Sequence, residues 1–306
     1  MASEGLIEQL GPYRLLRRLG RGGMAEVFLA VGYGASGFEK HVAVKRLLPE
    51  LAGTGELEHL LISEARLGAR LRHRNLVQVL GLGIDAGVYY VVLEWIDGTD
   101  VETLARHRPL SPALALLIAE EVALALDYLH RARDDAGRPL GLVHRDVSPS
   151  NVLISREGEV KLGDLGVAKA TLLADVTRGN LRKGKYAYMS PEQVNGEALT
   201  AASDQFGLGV MLYELVCGRR PFDGDTVLAT MENIRRAEPD LDAVPADVRG
   251  VLARCLAARP EARYPSAEAL RSAIAAVRRD LPAAALPDLA AWVRQAPRGG
   301  STISGG

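Results

Sequence analysis

The stretch HRDVSPSN, residues 144–151, sets the carboxylate of Asp146 five residues ahead of the carboxamide of Asn151, in a segment that Pro149 keeps out of helix. No cation stands between the two. A second stretch, LGRGGMAEVFLA, places Gly20, Gly22 and Gly23 between two strand-like runs. Glycines at such a turn let backbone N–H groups approach phosphate oxygens with no Cβ in the way, although a tight hairpin uses the same residues. Lys45 closes VAVK on the next strand, and Glu64 follows nineteen residues later on a helical stretch. Either alone reads as solvated surface. Together with the glycine turn they could form an ion pair that aims an ammonium at a nucleotide's phosphates.

These residues need elements to hold them. From Tyr13 to Ile96 the chain shows short β-type runs, EVFLAV, HVAVKRL, LVQVLGLGI and VYYVVLEWI, with one helix over 56–72 where Leu57, Leu60, Leu61, Glu64 and Leu71 recur at helical spacing. After DGTD at 97–100 the pattern turns helical over 112–132, 203–217, 226–236, 246–257 and 266–279, with a β-hairpin signal, NVLIS then GEVKLGD, between the first two. The boundary between a β-rich part and a helical part therefore falls near Gly98. Beyond Leu281, LPAAALPDLAAWVRQ predicts one more short helix, and GGSTISGG reads as a flexible end or a linker.

Composition removes several function classes. A chain of 306 residues, 48% hydrophobic and 25% charged, can bury one large core or two smaller ones. Lys plus Arg total 37 against 38 for Asp plus Glu, so no global field attracts nucleic acid or an anionic membrane. Aromatic residues at 5% leave few platforms for base stacking. The start MASEGLIEQL lacks the basic and apolar regions of a signal peptide, and ALALLIAEEVALALDYL is interrupted by Glu120, Glu121 and Asp127. No membrane span is expected. Cys217 and Cys255 form no metal-binding cluster and are expected as buried thiols in a reducing cytoplasm.

Six motifs, GRGGMAEV, VAVK, HRDVSPSN, GDLG, YMSPEQ and SDQFGLGVMLYELVCGRRPF, stand in the order and spacing of a protein kinase domain and resemble most closely the eukaryotic-like Ser/Thr kinases of bacteria. The resemblance covers Tyr13 to Arg279. It implies an α+β, bilobal fold over 13–280, with a small β-rich N-lobe (13–96), a larger helical C-lobe (100–280) and a C-terminal extension (281–306). It also implies ATP and Mg²⁺, with Mn²⁺ as an alternative, and a protein substrate with a Ser or Thr hydroxyl. On the matching positions, Gly20, Gly22 and Gly23 would cover the phosphates, with Val27 and Ala43 in the nucleotide site. Lys45 would hold the α- and β-phosphates, and Glu64 would orient Lys45. Asp146 matches the catalytic base, and Asn151 and Asp164 the metal ligands. Leu93 falls at the gatekeeper position, Glu94 and Ile96 at the adenine-binding hinge, and Asp100 where it could reach the ribose. Glu192 and Arg263 resemble the buried ion pair that anchors the activation segment, and Asp204 the helix carboxylate that holds the catalytic loop.

The departures are informative. Ala25 replaces the third glycine of the phosphate loop and Leu165 the usual Phe of the Mg²⁺ motif, both small changes in size. Gly68 stands where the family packs a bulky apolar side chain, which predicts a loosened helix and a separated Lys45–Glu64 pair. Leu181 occupies the usual activation-segment phosphosite, with Thr177 and Thr171 as alternatives and Arg145 as a phosphate partner. Ser148 replaces the Lys that normally contacts the γ-phosphate, and Lys185 replaces the activation-segment Thr beside it, so hydroxyl and ammonium could have exchanged places. Three readings stay open: an active Ser/Thr protein kinase, an ATP-binding pseudokinase acting as a scaffold, and a small-molecule kinase of related fold. Ser150 gives no support for a preference for basic substrates, and the insert RARDDAGRPLG at 131–141 has no assigned role.

Overall fold

The computed structural model describes residues 9–51, 53–107, 110–165 and 185–295, without the side chains of His107 and Lys185. The β-type runs of the first part form strands β1 (Gln9–Leu10), β2 (Tyr13–Arg21), β3 (Ala25–Tyr33), β4 (Glu39–Leu47), β5 (Val79–Asp85) and β6 (Val88–Glu94), one antiparallel sheet in the order β1-β2-β3-β4-β6-β5. Ala86 and Gly87, both at positive φ, close the tight β5–β6 hairpin. Helix α1 (Gly55–Gly68) lays Leu61 and Ala65 against Leu47 and Val91 of the sheet. It stops short of the expected 72. The chain there tightens into Arg70 N–H to Leu67 O and Leu71 N–H to Gly68 O bonds (3.1 Å each) and delivers Leu71 to the core of the other lobe.

The C-lobe begins with β7 (Gly98–Asp100), which pairs with β8 (Val152–Ser155) and through it with β9 (Val160–Leu162). Its helices are α2 (Val101–His107), α3 (Pro112–His130), α4 (Pro191–Asn195), α5 (Ala201–Cys217), α6 (Val227–Arg236), α7 (Ala246–Cys255), α8 (Ala267–Arg279) and α9 (Leu286–Gln295). Their starts are written in the sequence. Ser111 precedes Pro112 and accepts from Leu114 N–H, while Ser190 and Thr200 each head a capping box. Helices α3 and α5 bury apolar side chains around most of their circumference, as interior helices must, and the other elements pack around them.

Two segments left without a role in the sequence are well built. Residues 131–141 form a small hairpin, with Asp134 N–H bonded to Arg138 O (2.9 Å) and a bridge between Arg133 and Pro139. Helix α9 is no loose appendage, because Leu289, Trp292 and Val293 join the core of the C-lobe. Among the described residues no helix is long and apolar enough to cross a membrane. Cys255 is buried, whereas Cys217 is only half-buried, and both are free.

Candidate active site

Lys45 sits on β4 between Val27 of β3 and Val91 of β6, so the sheet points its side chain to the same face as theirs. Glu64 of α1 reaches it at 3.2 Å and Asp164, two residues beyond β9, at 2.8 Å. Burial alone would lower the pKa of the Lys45 ammonium, but the carboxylates of Asp164 and Glu64 outweigh it and hold the group charged. Glu64 moves the other way. Burial raises its pKa, Lys45 lowers it, and the neighbouring Asp164 adds repulsion, which leaves it above the ordinary carboxylate range. One ammonium thus serves two carboxylates.

This assembled pair corrects the expectation for Gly68. A Cβ there would lie 2.5 Å from Cγ2 of Val79, so the space that seemed vacant is already filled from β5. The Lys45–Glu64 pair is closed. A cavity of only about 40 Å3 remains beside it, bounded by Gly68, Leu93 and Leu165.

The catalytic loop hangs from one carboxylate. Asp204 of α5, 2% exposed, accepts from His144 N–H (2.7 Å) and Arg145 N–H (2.8 Å) and bonds His130 Nε2 at 2.7 Å. Gln193 of α4 adds a bond from Nε2 to Arg145 O (3.0 Å). These supports hold Arg145 at φ 68°, a left-handed backbone that a non-glycine residue adopts only under constraint. Asp164 is held likewise, at φ 50°. His144 spans the gap between the two strained residues, its Nε2 at 3.0 Å from Gly163 O and its Nδ1 accepting from Asp146 N–H (3.3 Å). The anchoring pair expected from the sequence is present: Arg263 meets Glu192 with two parallel bonds of 2.6 and 3.0 Å, and Ser203 Oγ donates to the same carboxylate.

Asn151 uses its amide nitrogen to hold Asp146 O (2.8 Å), which leaves its Oδ1 as the acceptor. That oxygen and Asp164 Oδ2 are both buried without a hydrogen-bond partner. Two orphaned hard oxygens, one of them anionic, suit a small divalent cation such as Mg²⁺, which takes one or two protein ligands and completes its shell with phosphate and water. Among the described residues no group of three or more His, Cys, Asp or Glu side chains could hold a metal without such outside ligands.

The nucleotide positions come together in part. Val27 and Ala43 cluster with Leu19, and half-buried Leu93 packs on them, which gives an apolar bed below the glycine turn. Gly20 pairs with Val27, Gly22 N–H closes the turn on Ala25 O (2.7 Å), and the space beside Gly23 is open. Ile96 is buried at the hinge. Asp100 is 1% exposed, and its two oxygens accept from the N–H and the hydroxyl of Thr103 at 2.7 and 2.9 Å. These bonds cap the N-terminus of α2, a role that the D-x-x-T spacing of DVET carried in the sequence. Glu94 is engaged by Lys161 of β9 at 2.9 Å, a tie between hinge and C-lobe that no motif announced. Ser148 is buried, with Oγ at 3.2 Å from Ser150 Oγ. Lys185 opens a short 3₁₀ turn, Lys185–Tyr188, but its side chain, like Thr171, Thr177 and Leu181, lies outside the described residues.

A family model, the protein kinase domain, matches residues 13–274. The chain is 40% identical to the tyrosine-protein kinase MasK of Myxococcus xanthus, over 88% of this chain and 43% of that protein. It is 33% identical to the serine/threonine-protein kinase PrkC of Bacillus subtilis, over 86% of this chain and 40% of that one. It is also 37% identical to the serine/threonine-protein kinase PknA of Mycobacterium tuberculosis, over 88% and 62%. The chain spans about half the length of these curated relatives. The crystal structure of the Mycobacterium tuberculosis PknI kinase domain superposes with a TM-score of 0.66 at 26% identity, covering 90% of this chain and 100% of that one. A closed Lys45–Glu64 pair, a loop hung from Asp204 and two bare oxygens at Asn151 and Asp164 are thus found in a chain that belongs to the protein kinase family.

Proposed function

We propose that the protein transfers the γ-phosphate of ATP to Ser or Thr hydroxyls of proteins, its own included, as part of signalling in a bacterial cytoplasm. The observation that carries this reading is the assembled Lys45–Glu64–Asp164 contact beside the two unpartnered oxygens of Asn151 and Asp164. In this reading Lys45 orients the α- and β-phosphates, with Glu64 fixing the ammonium. Asp146 accepts the proton of the attacking hydroxyl while the bond from the γ-phosphorus to the bridging oxygen breaks and ADP leaves. Asn151 and Asp164 would hold Mg²⁺, which when bound neutralises charge on the transferring group. The glycine turn, Val27, Ala43, Leu93, Glu94 and Ile96 bind the nucleotide. Ser148 and Lys185 divide between them the hydroxyl and the charge that the family's usual Lys and Thr supply.

The test is incorporation of labelled phosphate from Mg²⁺ATP, with phosphoamino-acid analysis of the product. Asp146→Asn should lower the rate by about 10²- to 10⁴-fold, the usual contribution of a positioned base. A parent that binds ATP but transfers no phosphate would favour the scaffold reading. Label on tyrosine would place the acceptor with the relative named a tyrosine-protein kinase.

A further inference from the structure

The 131–141 hairpin, the end of α3 and the segment after α1 line an open cleft of about 800 Å3, with Arg70, His73, Tyr128, Arg133 and Leu140 in its wall. That volume suits a small molecule. Leu71, Leu124 and Pro139 supply apolar lining. The charged side chains in the wall are three guanidiniums, Arg70, Arg131 and Arg133, against one carboxylate, Asp127, and the acceptors there include the unpartnered Nδ1 of His130. His73 Nδ1 accepts from Asn75 N–H (3.2 Å), which puts the ring hydrogen on Nε2. The Tyr128 hydroxyl accepts from Arg72 N–H (2.9 Å) and keeps its own hydrogen to give. Arg133 spends one donor on Gly137 O (2.7 Å), and a guanidinium has four more. The carboxylate in the wall, Asp127, is engaged by Arg131 at 3.2 Å. The excess of cationic donors over carboxylates favours a ligand rich in acceptors.

The walls lead to the active site from two sides. Arg72, His73 and Asn75 follow α1, the helix that carries Glu64, and His73 stacks on Tyr128 with ring centroids 4.9 Å apart. His130, also in the wall, bonds Asp204, from which the catalytic loop hangs. We infer that this cleft is an effector site for a small amphiphilic anion, with an apolar body against Leu71 and Leu140 and a phosphate or carboxylate facing Arg133, His73 and Tyr128. Its occupancy braces the segment after α1 against α3. The binding claim is independent of whether the chain transfers phosphate, so its failure and the failure of the proposed function are separable.

Phenyl phosphate, benzoate and inorganic phosphate serve as probes, titrated by ligand-observed NMR into the full chain with its nucleotide site saturated by a non-hydrolysable ATP analogue. Phenyl phosphate should bind saturably at millimolar concentration and slow amide exchange over residues 70–75. Arg133→Ala, on an exposed hairpin, and Tyr128→Phe, which keeps the stacked ring, should each weaken it about tenfold, the loss of one charge-assisted or buried bond. Benzoate binding as tightly as phenyl phosphate identifies a carboxylate ligand. Inorganic phosphate binding equally well removes the apolar half of the inference. Absence of saturable binding by all three probes, or binding unchanged in both variants, overturns it.

Discussion

A side chain at Gly68 has nowhere to go. Its Cβ would press on Cγ2 of Val79 at 2.5 Å and touch Leu165 Cδ1 at 3.7 Å, so Gly68→Leu overpacks the joint between α1 and the Mg²⁺ motif. The variant should lose about 1–3 kcal/mol of stability, as overpacked cores do. It should also transfer phosphate more slowly, because the displaced helix takes Glu64 from Lys45. Urea unfolding and initial rates check both, and a faster enzyme of unchanged stability would sink the account. The sequence showed the missing volume of glycine but not that Val79, eleven residues on, fills it. Asp100 shows the same limit: both of its oxygens are engaged by Thr103, three residues on, a contact that the resemblance did not announce. Ser148 and Lys185 belong to the same scale. If they share the work of one cation and one hydroxyl, Lys185→Thr should cost about 10²-fold in kcat with little change in ATP affinity, the effect of losing one transition-state donor. Ser148→Lys on that background should restore much of the rate, a non-additivity peculiar to partners in one site. Full activity of Lys185→Thr alone would leave Ser148 unexplained.

At the scale of elements, the catalytic loop is a strained turn fixed by its neighbours, and its pH response follows from His144. The neutral ring satisfies both of its bonds, one at Gly163 O and one at Asp146 N–H. Burial, opposed by Asp204 and Asp146, holds its pKa below the ordinary 6.5. The unfolded chain therefore binds this proton more readily than the folded one. The stability it confers is complete above pH 6.5 and is lost as pH falls below that value toward the folded pKa, by up to about 1.4 kcal/mol per pH unit. Glu192 adds a second, more acidic window. Burial would raise its pKa, but Arg263 and Ser203 hold it below 4.5, so its contribution is present above 4.5 and declines under it. Glu64, held above its ordinary value, pulls in the opposite sense, so the difference in slope between the parent and His144→Gln isolates the histidine. Equal slopes between neutral pH and about pH 5 would mean that the buried ring takes up its proton as readily in the fold as in the unfolded chain. Arg263→Ala should cost about 3–5 kcal/mol, because it strands the buried Glu192 carboxylate. The resemblance to the kinase family made the Asp204 clamp and the Glu192–Arg263 pair legible. The Lys161–Glu94 tie was not, since nothing local links a strand lysine to a hinge sixty-seven residues away.

Over the whole molecule, resemblance ends near Arg279, but the packing does not. Helix α9 returns along β8, where Leu286 O comes so close to Gly158 that a Cβ there would lie 2.0 Å from it, at a φ of +91° that itself favours glycine. Arg294 Nη1 bonds Arg156 O (2.9 Å), and Trp292, 6% exposed, enters the C-lobe core. Read alone, LPAAALPDLAAWVRQ announced a short helix without its destination, because a lone helical segment after a proline-rich stretch packs equally well on a partner. Placed where it is, α9 covers apolar surface of β8 that a chain ending at 280 would expose to water. Trp292→Ala should then cost about 3–5 kcal/mol, the usual figure for a buried aromatic. For a domain of this size each kcal/mol moves Tm by about 2–4 °C, so the shift should be near 10 °C. Gly158→Ala should lower Tm as well, through the clash with Leu286, although it removes no apolar contact. A chain ending at 280 should melt lower still and bind hydrophobic dye. Should it melt with the parent and bind none, the division at 280 would stand as the true limit of the folding unit, and α9 would be a separable segment docked on a kinase domain complete without it.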